Sequence, residues 1–219
     1  MNVRVFRCDL DREVASLDTL DDEERARAAA FAFDHHRRRY IAAHRFLRAT
    51  LGSALGVSPA SLRFAATEHR KPVLVDHPSL PFNMSHADGV AYVAIGSMGE
   101  LGVDVELHHA VADVLGVAKL VFSASEVAEI SAASEDEQIA RFLRCWTRKE
   151  AYVKALGVGL GAALTSITVG TEPVDIEVPP LHGISDVALH VRSLRTSASE
   201  YVAIAATAKP DQVELVESR

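Results

Sequence analysis

The two halves of this chain echo each other in short words that keep their order. Arg45-Phe46-Leu47-Arg48 recurs as Arg141-Phe142-Leu143-Arg144, Ala54-Leu55-Gly56-Val57 as Ala155-Leu156-Gly157-Val158, and Tyr92-Val93-Ala94-Ile95 as Tyr201-Val202-Ala203-Ile204. Each word alone is weak. Their common order, at matching places in a helix-then-strand scheme, points to duplicated α+β halves, each a small antiparallel sheet packed on helices. The expected division is 1–99 and 100–219, with a linker near 97–100. A cleft between the halves is then the natural place for a site. A chain of 219 residues that is 48% hydrophobic is long enough to bury the cores this requires.

Periodicity places the elements. Alternation predicts a strand over 3–6. A helix over 21–33 opens on Asp21, Asp22, Glu23 and Glu24, the favourable sign for the positive end of its dipole. A second helix over 35–55 carries Arg37, Arg38, Arg39, Arg45 and Arg48 and ends at Gly56. Strand-like pieces follow at 62–65, 73–75 and 90–96, punctuated by Pro72, Pro78 and Pro81. In the second half a strand is expected over 102–106. Ser123 and Glu126 form a capping box, and a long helix spans 137–156. Strands are expected over 167–169, 175–178, 187–191 and 201–206.

The long helix carries the first chemical signal. Trp146, Glu150 and Lys154 recur every four residues and form one row on a helix. A solvated Glu–Lys ion pair beside a core Trp would have the same spacing. In Gly102-Val103-Asp104-Val105-Glu106, however, Asp104 and Glu106 share one strand face, where two carboxylates repel unless a cation or base lies between them. With Glu150 they would complete an all-oxygen site of the kind magnesium takes. The arginine-rich helix is out of keeping with a net charge of -7. It is either a solvated face or a phosphate grip. Ser85 and His86 at a strand end could also cradle a phosphate. They make a poor catalytic pair, because neighbours on a strand point to opposite faces.

Other classes are disfavoured. The acidic balance argues against a nucleic-acid partner. No apolar run reaches membrane length, and the N-terminus carries no signal-peptide pattern. Cys8 and Cys145 form no CxxC, so a reducing cytoplasm is expected and Cys145 reads as a small core residue. His35, His36 and His44, and the pair His108-His109, show no zinc spacing and read as surface histidines.

Taken together, these stretches resemble the surfactin-type 4′-phosphopantetheinyl transferases. Gly102-Val103-Asp104-Val105-Glu106 and Trp146-Thr147-Arg148-Lys149-Glu150-Ala151-Tyr152-Val153-Lys154 are similar to that family's two signatures. Phe82-Asn83-Met84-Ser85-His86 resembles a third motif. Phe122-Ser123-Ala124-Ser125-Glu126 resembles the element between the signatures. Arg70-Lys71-Pro72 resembles the basic element upstream, with Arg70 where a glycine is more usual. The resemblance runs from the arginine helix to about Gly161.

It implies a pseudo-dimeric α+β fold, coenzyme A as donor and an apo acyl, polyketide or peptidyl carrier protein as acceptor, in a monomer that binds neither nucleic acid nor membrane. It further implies magnesium held by Asp104, Glu106 and Glu150, and catalysis by Glu150 and Lys154. Coenzyme A would be bound by Arg39, Arg45, Lys71, Ser85, His86, Asp104, Lys149 and Lys154, with the 3′-phosphate on the 1–99 side and the carboxylates on the 100–219 side. A metal-dependent phosphodiesterase or nuclease on the same carboxylates is the alternative enzyme. A nuclease needs a basic track, and here the arginines cluster on one helix. A non-catalytic carrier-protein binder is the third reading, and the presence of all three carboxylates with Lys154 argues against it.

Overall fold

The computed structural model describes residues 1–158, 164–183 and 185–217. Gly161, where the motif resemblance ends, lies outside them. The first half runs β1 (Asn2–Asp9), α1 (Asp22–Ala29), α2 (Asp34–Leu55), β2 (Phe64–Ala66), β3 (Pro72–Leu74), β4 (Phe82–Ala87) and β5 (Val90–Gly96). The second runs β6 (Leu101–Leu107), α3 (Val114–Val121), α4 (Ala124–Ser131), α5 (Glu135–Leu156), β7 (Ile176–Val178), β8 (Leu189–Leu194) and β9 (Glu200–Ala206), before the last strand, β10 (Gln212–Glu217). In each half the first strand pairs antiparallel with the last, and the last pairs with the strand before it: β1-β5-β4 in one sheet, β6-β9-β8-β7 in the other.

The fold is therefore α+β, a pseudo-dimer of two similar halves, and the repeated features lie deeper than the repeated words. Helices α2 and α5 are both 22 residues long and end in left-handed glycines, Gly56 and Gly157, each at φ 69°. Glycine takes that conformation without steric cost. Each half then buries one cation of its long helix against the capping-box glutamate of the short helix before it. Arg48, fully buried, donates to Glu24 Oε2 at 2.7 Å and to the Leu62 carbonyl at 2.9 Å. Lys149, also fully buried, lies 2.8 Å from Glu126 and donates to the Leu164 carbonyl at 2.7 Å. Glu24 and Glu126 close the two capping boxes. The Arg-Phe-Leu-Arg echo is different. It is shifted by five positions relative to the matching helix ends, about 1.4 turns, so its two copies are not equivalent.

Layers follow from alternation along the strands. Phe6, Cys8, Ala91, Val93 and Ile95 face α2, while Val3, Val5, Tyr92 and Ala94 face the second sheet and share a core with Leu101, Val103, Val105, Val202 and Ile204. The opposite face of the second sheet, with Leu189, Val191, Ala203 and Ala205, packs on α5. Gly102 allows that close approach, since a Cβ there would run into the Ala151 carbonyl and the Ala155 nitrogen.

Three expectations change. The first sheet is not purely antiparallel: β10 crosses back from the second half and pairs in parallel with β1. It is a largely exposed edge strand, so it lacks the buried face that marks the other strands in the sequence. Helix α3 was also not anticipated. Ile167 and Val169 are buried, with Thr168 exposed between them, but residues 167–169 form no strand. Their backbone is held by side chains instead: Arg148 Nε donates to the Val169 carbonyl at 2.8 Å, and Val169 N donates to Glu126 Oε1 at 2.7 Å. Apolar alternation reports burial, and it cannot tell which groups satisfy the backbone.

A polar clamp crosses the seam between the halves. Arg7 donates twice to Glu200, at 3.1 and 2.6 Å, and the Tyr92 hydroxyl donates to the same carboxylate. Burial, followed by the bond to Glu200, raises the Tyr92 pKa. Tyr92→Phe removes one charge-assisted bond and is expected to cost about 1–2 kcal/mol, lowering Tm by roughly 2–6 °C in a thermal melt. A melt unchanged from wild type would show the clamp to be idle.

Candidate active site

Period two along β6 puts Gly102, Asp104 and Glu106 on the face that meets α5, where Glu150 and Lys154 stand one turn apart. The seam with β4 supplies the rest. Among the described residues β6 pairs with no strand on that edge. Instead Asn83 Oδ1 accepts from Val103 N at 2.9 Å, and Ser85 Oγ accepts from Val105 N at 3.4 Å. Ser85 also donates to Asp104 Oδ1 at 2.8 Å, and Lys154 Nζ donates to Asp104 Oδ1 at 2.5 Å and to Ser85 Oγ at 2.9 Å. The triad Ser85–Asp104–Lys154 thus joins both halves.

The carboxylates beside it are short of positive charge. Asp104 Oδ2 and Glu150 Oε1 are buried without a hydrogen-bond partner. Burial first, and then the charges of Asp104 and Glu106, push the Glu150 pKa up to about 7 against the pull of Lys154. Glu106 is raised by burial and by Asp104, with a bond from Trp146 opposing. Asp104 is raised by burial, although Lys154 and Ser85 oppose it. Among the described residues no three His, Cys, Asp or Glu side chains converge closely enough to form a ready metal cage, and Lys154 holds one Asp104 oxygen. The two orphaned oxygens nevertheless fit a hard divalent cation. Oxygen donors suit it, and its charge would relieve the repulsion.

Two openings flank this centre. A cleft of about 400 Å³ is lined by Glu150, Lys154, Lys71, Arg70, Asn83 and Met84 among others. Lys71 Nζ donates to Glu100 at 2.7 Å and to the Ala155 carbonyl at 2.5 Å, so it closes the C-terminal end of α5. A second cavity, about 570 Å³, is lined by His86, Arg39, Arg27, His36, Tyr40, His44, Phe31 and Asp88. Arg39 is oriented by a two-pronged bond to Asp11, 2.8 Å on each arm. Loss of hydration, then the charges of Lys154 and His44, hold the His86 pKa below its ordinary value.

Some expectations fail here. Lys149 does not reach either opening. Around a helix it lies about 100° from Glu150, which turns it into the second-half core against Glu126, Leu164 and Ile167. Arg45 lies about 120° from Arg39 around α2 and binds Glu13 at 2.9 Å and the Val14 carbonyl at 3.3 Å, away from both openings. His86 and Lys71 line different openings. His36 is exposed as expected and His44 is half-buried, and both line the cavity with Tyr40. His36, Tyr40 and His44 recur every four residues, the same row signal that singled out Trp146, Glu150 and Lys154, and it could have found them. Arg27, on α1, had no such signal.

Comparison with known proteins gives the geometry its context. Residues 100–206 match the profile of the 4′-phosphopantetheinyl transferase superfamily, and residues 10–98 match that of the 4′-phosphopantetheinyl transferase N-terminal region. The 4′-phosphopantetheinyl transferase HetI of Nostoc sp. is 35% identical over 188 residues, covering 81% of this chain and 79% of that protein. The 4′-phosphopantetheinyl transferase Sfp of Bacillus subtilis is 28% identical over 166 residues, covering 74% and 73%. The 4′-phosphopantetheinyl transferase AcpT of Escherichia coli K12 is 39% identical over 90 residues, covering 41% and 46%.

Proposed function

Because the chain belongs to the 4′-phosphopantetheinyl transferase family, we propose that the Ser85–Asp104–Lys154 triad and the neighbouring Glu106 and Glu150 form the centre at which its reaction takes place. The enzyme transfers the 4′-phosphopantetheine arm of coenzyme A to a serine of an apo carrier protein and releases adenosine 3′,5′-bisphosphate. No observation favours a phosphodiesterase or a non-catalytic binder.

The reading of the site rests chiefly on the partnerless oxygens of Asp104 and Glu150, two carboxylates whose charges oppose each other. Asp104, Glu106 and Glu150 would hold magnesium, which supplies charge neutralisation at the pyrophosphate when bound. Glu150 takes the proton of the carrier serine as its oxygen attacks phosphorus. Its position beside Lys154, on the row that faces the cleft, is what suits it to take that proton. Lys154, held by Asp104 and Ser85, donates to the phosphate oxygens as the bond to the departing nucleotide phosphate breaks. Arg39 and His86 grip the 3′-phosphate in the cavity they line, and Lys71 meets the coenzyme in the Glu150–Lys154 cleft. The division of labour is then 1–99 for the 3′-phosphate and 100–219 for the carboxylates, in a cytoplasmic monomer. No helix among the described residues is long and apolar enough to cross a membrane.

The defining test is intact-mass spectrometry of an apo carrier protein incubated with the enzyme, coenzyme A and magnesium. A gain of one phosphopantetheine is expected, and no gain with any carrier class would sink the reading. A kinetic comparison of coenzyme A with dephospho-coenzyme A then tests the 3′-phosphate assignment. Each charged bond is worth about 1.5–3 kcal/mol, so Arg39→Ala and His86→Ala should raise KM for coenzyme A roughly ten- to hundred-fold and narrow the preference for it. Lys71→Ala should weaken both coenzymes alike. Full wild-type preference in both the Arg39 and His86 variants would place the 3′-phosphate elsewhere.

A further inference from the structure

Arg70 lies at the turn between β2 and β3 with φ 65°, in the left-handed region. Side chains with a Cβ are disfavoured there, and such strain persists mainly where the surroundings or a function demand it. Nothing in the fold demands an arginine. Its backbone N–H closes the turn on the Thr67 carbonyl, a bond glycine would make equally well. Arg70 lines the region where the coenzyme is proposed to lie. It borders both the cleft of Glu150 and Lys154 and an adjoining cavity of about 290 Å³, whose lining includes Tyr40, His44 and Met84 and also the acids Asp21, Glu23 and Glu24, none of which is paired with Arg70. The other proposed coenzyme cations are each neutralised by an acid of the chain, Arg39 by Asp11, Lys71 by Glu100 and Lys154 by Asp104. Arg70 has no acid partner among the described residues.

Resting on the reading above, we propose that Arg70 is a further substrate-binding residue, an unpaired guanidinium that grips a coenzyme A phosphate between the 3′-phosphate cavity and the carboxylates, and that its backbone strain is kept for that contact. An arginine with no internal competitor can turn its planar donors to a phosphate without first breaking an ion pair. Lys71 and Lys154 must exchange partners.

The test combines calorimetric titration of coenzyme A with thermal melts of the wild type, Arg70→Ala, Arg70→Gly and Arg70→Lys. Because the site is exposed and screened, both truncations should weaken coenzyme A about three- to tenfold. They should also flatten the salt dependence of binding, while Arg70→Lys recovers part of the affinity. Arg70→Gly should melt no lower than wild type and above Arg70→Ala, since only glycine relieves the strain. Weaker binding with undiminished stability is a signature that a merely structural arginine would not give. Wild-type affinity in both truncations overturns the proposal, as does weaker binding with an unchanged salt slope, which would mean stacking on the base. A raised KM for the carrier protein alone also overturns it, assigning Arg70 to carrier docking. A wild type that fails to bind coenzyme A overturns the transferase site itself.

Discussion

Glu150→Gln is expected to lose transfer by about 10³-fold or more in kcat/KM and yet to melt higher than the wild type at pH 8 in chelator. The two effects share one cause. Burial, and then Asp104 and Glu106, raise the Glu150 carboxyl from 4.5 to about 7. The native state therefore holds that proton more tightly than the unfolded chain does. Below pH 4.5 the group is neutral in both states and costs nothing. Stability falls as the pH rises from there to about 7 and is level above. At 1.36 kcal/mol per pH unit the ceiling is about 3 kcal/mol, and solvent access to the side chain reduces it to about 1–2 kcal/mol. Glutamine removes the charge and should return that amount, a Tm gain of roughly 2–8 °C. Added magnesium should raise the wild-type Tm and shift the variant less. Asp104→Ala and Glu106→Ala should also lose transfer, Glu106→Ala least, since a water can stand in at a half-exposed position. Wild-type transfer by Glu150→Gln would remove this residue from the mechanism. A pH-independent melting difference would remove the electrostatic account.

Lys149→Ala is expected to act on the fold. Lys149 and Glu126 are both fully buried and lie 2.8 Å apart. Removing one partner leaves the other charged without compensation, typically about 3–5 kcal/mol, so Tm should fall by roughly 6–20 °C. It also frees the Leu164 and Ile167 carbonyls. The paired variant Lys149→Met with Glu126→Gln should recover much of the loss, because glutamine still accepts from Val169 N and Gly170 N, both bound to Glu126 Oε1. The pH dependence has the opposite sign to that at Glu150. Burial pushes Glu126 up, but Lys149 and the backbone donors outweigh it and the net shift is downward. Its stabilisation is present above the ordinary glutamate value and is lost as pH falls through the depressed one. A Lys149→Ala protein that melts like wild type but has a raised KM for coenzyme A would restore Lys149 to the substrate.

Local periodicity determined much of this protein. The two long helices, the glycine end of the first and the alternation of β6 were legible because each depends on neighbours within a turn or a strand pair. The row Trp146–Glu150–Lys154 and the shared face of Asp104 and Glu106 needed nothing more, so these side chains could be singled out before any fold was known. Only tertiary structure decided which basic residues face the site. Spacing along α2 states that Arg39 and Arg45 diverge, but not which of them looks into the cavity. That depends on where Asp11 and Glu13 settle once β1 is in its sheet. Lys149 sits inside the most specific motif of the chain and is a core residue, because the carboxylate that pairs with it comes from α4. The return of β10 to β1 and the side-chain support of 167–169 were hidden for the same reason. Periodicity reports which face of an element is buried, whereas the partner on that face is chosen by contacts between segments far apart in the chain.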